Sequence, residues 1–123
     1  MVEAVALPVP WQVRFQAGGN EGIADTLKAG IGGSAGMRPH ELLEASLATC
    51  MTISARMALA DLSITDAEVR VRVQLEREES TTRFRYELLL APELEAHRPA
   101  VEERIAHSPV CSTLSKPLTF EPV

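Results

Sequence analysis

The stretch that most constrains the fold runs from His40 to Leu62, 23 residues without a glycine or a proline and rich in Leu, Ala and Met. As one α-helix it spans about 35 Å, the width of a whole small domain. Pro39 suits its first turn, where an amide donor is not needed. Apolar residues occupy most of its circumference rather than one stripe, the pattern of a helix covered on several sides. One small sheet cannot cover it alone. A second copy of the chain is the natural cover, and a homodimer is expected.

The flanking segments alternate as half-buried strands do. In residues 11–17, Trp11, Val13, Phe15 and Ala17 share one face, and Gln12, Arg14 and Gln16 the other. A Gly-rich turn over 18–22 leads to a second strand over Ile23–Leu27, and Gly30, Gly32, Gly33 and Gly36 predict a flexible loop up to Arg38-Pro39. Beyond the helix, Val69, Val71, Val73 and Leu75 point inward and Arg70, Arg72, Gln74 and Glu76 outward. Residues 83–90 return with Phe84, Tyr86 and Leu88 on one face. Arg70, Arg72, Arg83 and Arg85 then fall on an exposed sheet face, opposite Glu76, Glu78 and Glu87. A linker over 92–98, a helix from Pro99 to about His107, a short helix capped by Ser108-Pro109 and a last edge strand over 118–123 complete the reading. The order is β-β-α-β-β-α-α-β, an α+β fold, and 123 residues fit a single domain over 1–123.

Composition narrows the function. Seventeen acids against twelve bases give a net charge of −5, which argues against a nucleic-acid partner. No apolar run approaches the ~20 residues that cross a bilayer, so no membrane partner is expected. The opening MVEAVALPVPW has no basic n-region, so no secretion signal is expected and the chain reads as cytoplasmic.

Two cysteines carry the chemistry. Cys50 and Cys111 lie 61 residues apart without a CxxC or CxxH, and His40, His97 and His107 are scattered, so neither a metal nor another cofactor is expected. In a reducing compartment such a pair is either two inert core thiols or a transient redox couple. Cys50 sits mid-helix among Ala48, Thr49, Met51 and Thr52, far from the helix start, so a reactive thiolate there needs a nearby cation. Cys111 is the third residue after the Ser108 cap, where free amides and the helix dipole favour negative charge on sulfur.

The run GGSAGMRPHELLEASLATCMTISARMALA resembles the signature of the OsmC/Ohr superfamily, the osmotically induced and organic hydroperoxide resistance proteins. Pro39 and Cys50 have that family's eleven-residue spacing, and Ser108-Pro109-Val110-Cys111-Ser112-Thr113-Leu114 resembles its second block before the last strand. The resemblance implies an intertwined homodimer with thiol sites at the interface, which reduces organic hydroperoxides. Cys50 would attack the peroxide, Cys111 would resolve the sulfenic acid as a disulfide, and a dithiol reductant (a lipoylated protein in the Ohr branch) would reset the pair. Arg14, the only arginine of the N-terminal segment, and Glu41 complete the expected catalytic set. Arg38, His40, Met51 and Ser108 are the expected substrate contacts.

The chain departs from the family pattern at three places. Ser108 stands where the second cysteine usually is, with Cys111 one helical turn later. His40 follows the proline where the Ohr branch has a glutamate, and Glu41 comes next. The residues around Arg14 differ from those of the family's arginine motif, and Arg38 and Arg56 are rival cations. On one straight helix, Glu41 and Cys50 are about 15 Å apart, so a partner chain would have to bring such groups together. The alternative is a catalytically weak protein of the same fold that binds an apolar ligand or senses oxidation in the dimer cleft.

Overall fold

The computed structural model describes all residues, 1–123. The chain forms two compact units, Met1–Leu43 and Glu44–Val123. In the first, β1 (Glu3–Ala6), β2 (Val13–Ala17) and β3 (Asn20–Ala24) make an antiparallel sheet in the order β1-β2-β3. Phe15 pairs with Gly22 across the strands and its ring lies over the glycine, so the residue that weakens a strand is covered by an aromatic neighbour.

The glycine-rich segment is a built structure rather than a flexible loop. It holds the hairpin β4 (Leu27–Lys28) and β5 (Ile31–Gly32), joined by Ala29 and Gly30 at φ 52° and 77°. Two positive values in a two-residue turn match the right-handed twist of the flanking strands. Asp25, buried to 2% exposure, pins the segment from both ends. Its Oδ1 accepts the Thr26 amide at 2.8 Å and its Oδ2 the Ala35 amide at 3.0 Å, while its own amide donates to the Met37 carbonyl at 3.1 Å.

The long helix α1 (Pro39–Ala60) begins one residue earlier and ends two residues sooner than expected. Its end is set by Ser63 in the left-handed region at φ 65°. The Ile64 amide reaches back to the Leu59 carbonyl and the Ser63 amide to that of Ala60, both at 2.9 Å, which satisfies the last carbonyls. Against the sequence expectation, α1 is long and apolar enough to cross a bilayer by length and composition. Leu47, Met51, Ala55, Ala58 and Leu59 instead bury one face in the core of the second unit.

In that unit β6 (Val69–Arg77) and β7 (Thr82–Leu90) form an antiparallel hairpin in the register Val69↔Leu90 through Arg77↔Thr82. Its inner face packs on α1, and Leu88, Val101 and Ile105 complete the core. On the outer face Arg72 pairs with Glu87, Arg83 with Glu76 and Glu78, and Arg85 with Glu76, whereas Arg70 turns to Glu68. Such exposed pairs contribute about 0–1 kcal/mol each. A 3-10 turn (Pro92–His97), α2 (Arg98–Ala106) and α3 (Pro109–Leu114) follow. Arg98 binds Glu95 through two hydrogen bonds, which hold that carboxyl below the ordinary carboxylate range.

Two expectations on element order fail. A first strand, β1, precedes the expected pair. Residues 118–123 form no strand. A strand needs an edge to pair with, and this segment joins none of the three sheets; Phe120 is 91% exposed.

Glu44 ties α1 to the sheet, its Oε2 accepting the Leu75 amide at 2.9 Å. Glu44→Ala leaves that part-buried amide without its acceptor and is expected to cost about 1–3 kcal/mol. Glu44→Gln, which keeps an oxygen there, should lose less, as urea unfolding would show. Equal losses for the two variants would remove the hydrogen bond as the cause.

Candidate thiol site

Pro109 occupies the first helical position of α3, so the amides of Val110 and Cys111 are the free donors of its first turn. Ser108, the cap residue, has the extended backbone of a cap (φ −60°, ψ 146°), yet its side chain bonds to neither amide. The Val110 amide points instead at the sulfur of Cys50, at 3.5 Å. A backbone N–H aimed at a sulfur stabilises charge that forms there. Had Ser108 capped α3 through its hydroxyl in the usual way, that donor could have been taken.

Ser108 is 1% exposed and its Oγ has no hydrogen-bond partner. A buried hydroxyl without a partner is costly, so Ser108→Ala is expected to leave stability unchanged or raise it by up to about 1 kcal/mol. A loss above that in a thermal melt would show that the hydroxyl has a partner after all.

Cys50 is half-buried and reduced, as is Cys111. Cys111 lies beside Val110 in sequence but lines a different space, a cleft of about 240 Å³ shared with Leu47, Met51, Phe84, Tyr86 and Leu114. Met51, expected to touch substrate, is fully buried on the floor of that cleft. Both cysteines therefore meet the first turn of α3: one receives its amide and the other belongs to it.

Of the remaining candidates, Arg14, Arg38, His40 and Glu41 lie in the first unit and Arg56 in the second. Arg14 is exposed in the middle of β2 and forms no ion pair. Glu41 is the third residue of α1 and reaches back to the cap residue Arg38, accepting its amide at 3.0 Å, with the guanidinium at 3.7 Å. This is the acidic half of a capping box, built on an arginine in place of the usual Ser or Thr. The arginine that Glu41 holds in this chain is thus Arg38. His40 is exposed in the same turn. Arg56, the third cation, donates to the Thr65 carbonyl at 2.7 Å. No group of three or more His, Cys, Asp or Glu side chains comes together as a metal site.

The Val110 amide escaped the sequence reading, although its signal was present: proline at the first helical position frees the next two amides. Asp25 escaped it too, because a single acid beside a glycine-rich run does not reveal which amides it will meet.

The fold and sequence match known proteins. The profile of the family described as OsmC-like protein matches residues 32–123. An osmotic stress induced and detoxification response protein from Psychrobacter arcticus superposes with a TM-score of 0.76 at 19% identity, over 91% of this chain and 85% of that one. An OsmC like protein from Mycoplasma pneumoniae gives 0.70 at 16% identity, over 93% and 85%. An organic hydroperoxide resistance protein OsmC from Legionella pneumophila gives 0.59 at 14% identity, over 94% and 88%. At these identities the likeness shows the fold. No curated protein matches the chain.

Proposed function

The chain belongs to the OsmC-like protein family, and from that premise we propose that it reduces organic hydroperoxides with Cys50 as the attacking thiol. The observation that carries this reading is the Val110 amide on the Cys50 sulfur. A donor fixed by the fold at the one atom where charge must sit distinguishes a working thiol from a packed one. The name of the Legionella pneumophila relative, which refers to organic hydroperoxide resistance and to a redox protein, fits the same reading.

The reaction proceeds in balanced steps. The Cys50 thiolate attacks the terminal peroxide oxygen, the O–O bond breaks, and the alkoxide leaves as an alcohol after taking a proton. Cys50 is then a sulfenic acid. The Cys111 thiolate attacks that sulfur, hydroxide leaves as water, and a Cys50–Cys111 disulfide remains. A dithiol reductant returns both thiols by exchange and carries away two electrons as its own disulfide. Arg14, free of other ion pairs, is our first choice for the cation that holds the thiolate; Glu41, Arg38 and His40 at the start of α1, and Met51 and Ser108, remain the proposed contacts around the reaction. No further cofactor is required.

A homodimer completes the proposal. The face of α1 opposite the core carries Leu43, Ile53 and Met57 at 44%, 56% and 51% exposure, too apolar a face to leave in water. A second copy that covers it would also offer edges to residues 118–123. The site of action is the cytoplasm, where thiols persist.

The test compares cumene hydroperoxide with hydrogen peroxide at equal concentration, with dithiothreitol as reductant. An apolar pocket at the proposed dimer interface would draw binding energy from the organic tail, so cumene hydroperoxide should turn over on the order of tenfold faster or more. Equal rates would exclude the organic substrate class. If neither peroxide is consumed, the alternative of an apolar ligand binder or oxidation sensor takes the place of the enzyme.

A further inference from the structure

The turn that opens α3 holds two features that thiolate stabilisation does not exhaust. One is a contact between atoms: the Val110 nitrogen lies 3.5 Å from Cys50 Sγ, with its N–H aimed at the sulfur. Reacting atoms held about 3–3.5 Å apart are in near-attack contact. The other is the Ser108 hydroxyl, buried to 1% exposure and without a hydrogen-bond partner. A serine in the cap position can reach the amide two residues on through its side-chain oxygen, so an empty acceptor belongs to the same turn as that N–H.

Oxidation changes what the contact means. As a thiolate, the Cys50 sulfur is an electron-rich acceptor. As a sulfenic acid it is electrophilic, and it condenses either with a thiol or with a backbone nitrogen. The thiol, Cys111, lines a separate cleft beside Phe84 and Leu114, whereas the nitrogen already touches the sulfur.

We propose that the Val110 nitrogen captures the Cys50 sulfenic acid as a sulfenamide, a reversible covalent tie between α3 and α1. The proposal rests on the peroxide reading, which supplies the sulfenic acid. The amide proton passes to Ser108 Oγ as the hydroxyl's own proton passes to the departing oxygen. The in-plane electron pair left on nitrogen points where the N–H pointed, at the sulfur, and forms the N–S bond. The S–O bond breaks and the oxygen leaves as water. A peptide nitrogen is a weak nucleophile, because its other pair is shared with the carbonyl, so closure is slow beside attack by the Cys111 thiolate. It acts when that thiol is blocked. Closure is also unimolecular, whereas overoxidation takes a second peroxide. Excess peroxide therefore diverts the sulfenic acid to the sulfinic acid, and a single equivalent leaves it time to close. A thiol later reopens the tie by attack on sulfur, and the amide regains its proton.

The experiment uses Cys111→Ser, in which no second thiol competes. The reduced variant receives one equivalent of cumene hydroperoxide, and its intact mass is followed for hours. The oxygen-bearing chain should lose water and settle two hydrogens below the reduced mass. Fragmentation should place the link between Cys50 and the Val110 nitrogen, and dithiothreitol should restore the reduced mass. Dimedone present from the start should trap the sulfenic acid as its adduct instead. Val110→Pro, added to this variant, removes the N–H at a position in the first turn where proline is tolerated, and it should hold the oxygen with no water lost. Val110→Ala, which keeps the nitrogen, should close as before. Ser108→Ala should slow the water loss about tenfold or more. That first-order step is read from the oxygen-bearing chain onward, whatever the rate at which the oxygen arrived.

A chain that forms the dimedone adduct but keeps its oxygen, or a link mapped to another nitrogen, overturns the sulfenamide and leaves the peroxide reading standing. Water loss that Val110→Pro or Ser108→Ala leaves unchanged overturns it as well. A chain that gains neither the adduct nor an oxygen fails at the peroxide reading itself, and the sulfenamide falls with it.

Discussion

Cys50→Ser is expected to lower hydroperoxide turnover on the order of a thousandfold or more, because the one thiol left, Cys111, does not receive the Val110 amide and has no second thiol to resolve it. A serine hydroxyl at the same place keeps the Val110 amide as a partner but is not oxidised by a peroxide. The variant should therefore fold as the parent does, with an unchanged denaturation midpoint, and lose the reaction alone. Cys111→Ser has a different signature. Its Cys50 still reduces one equivalent of peroxide, but the sulfenic acid persists and excess peroxide drives it to the irreversible sulfinic acid. The pair separates attack from resolution in a single-turnover measurement. Turnover by Cys50→Ser within tenfold of the parent would place the chemistry elsewhere.

Gly32→Ala is expected to destabilise the first unit by about 3 kcal/mol or more. Two causes add at this residue. Its φ of 105° is a conformation that side chains rarely adopt. A Cβ there would also lie 1.9 Å from the Thr26 carbonyl oxygen and 2.7 Å from Cδ1 of Trp11. The Gly33 amide donates to that same Thr26 carbonyl at 3.0 Å, so relief of the overlap would break the turn that Asp25 holds. Gly30→Ala is the internal control. It has a positive φ of 77° but nothing within 4 Å of the added carbon, so it carries only the backbone strain, about 1 kcal/mol. Urea unfolding of both variants would measure the difference, and limited proteolysis would show whether residues 1–43 open first. Equal costs would show that the close approach to Thr26 yields without resistance.

The parts of this architecture that local chemistry dictates were legible in the sequence. Val69, Val71, Val73 and Leu75 alternate without interruption, and the structure pairs them on one face of β6. The run without glycine or proline after Pro39 is a helix to within two residues, and Ser108-Pro109 opens α3 as such a pair does. The parts that depend on a distant partner were not legible. Residues 118–123 have the alternation of a strand, yet alternation prepares a strand and only an edge makes one. The glycine-rich run suggested mobility, because a count of glycines does not reveal that Asp25 binds both ends of the segment. The apolar circumference of α1 exceeds what this chain alone covers, as Leu43, Ile53 and Met57 show.

At the site, sequence spacing placed Cys50 on the long helix and Cys111 in the first turn of α3, but it implied that the amides there would serve Cys111. The structure aims the Val110 amide at Cys50. That hydrogen bond supports the proposed role of Cys50 as the attacking sulfur. It turned on Ser108, whose hydroxyl does not cap the helix it begins.

The central claim is that Cys50 and Cys111 work as a redox couple, and an intact mass with a thiol count tests it most directly. Purified, reduced protein is treated with one equivalent of cumene hydroperoxide. The account predicts the loss of both thiols and of two hydrogens' mass, with no oxygen retained, and Cys50→Ser should abolish the change. Survival of both thiols, or oxygen retained on Cys50 without a disulfide, would contradict it.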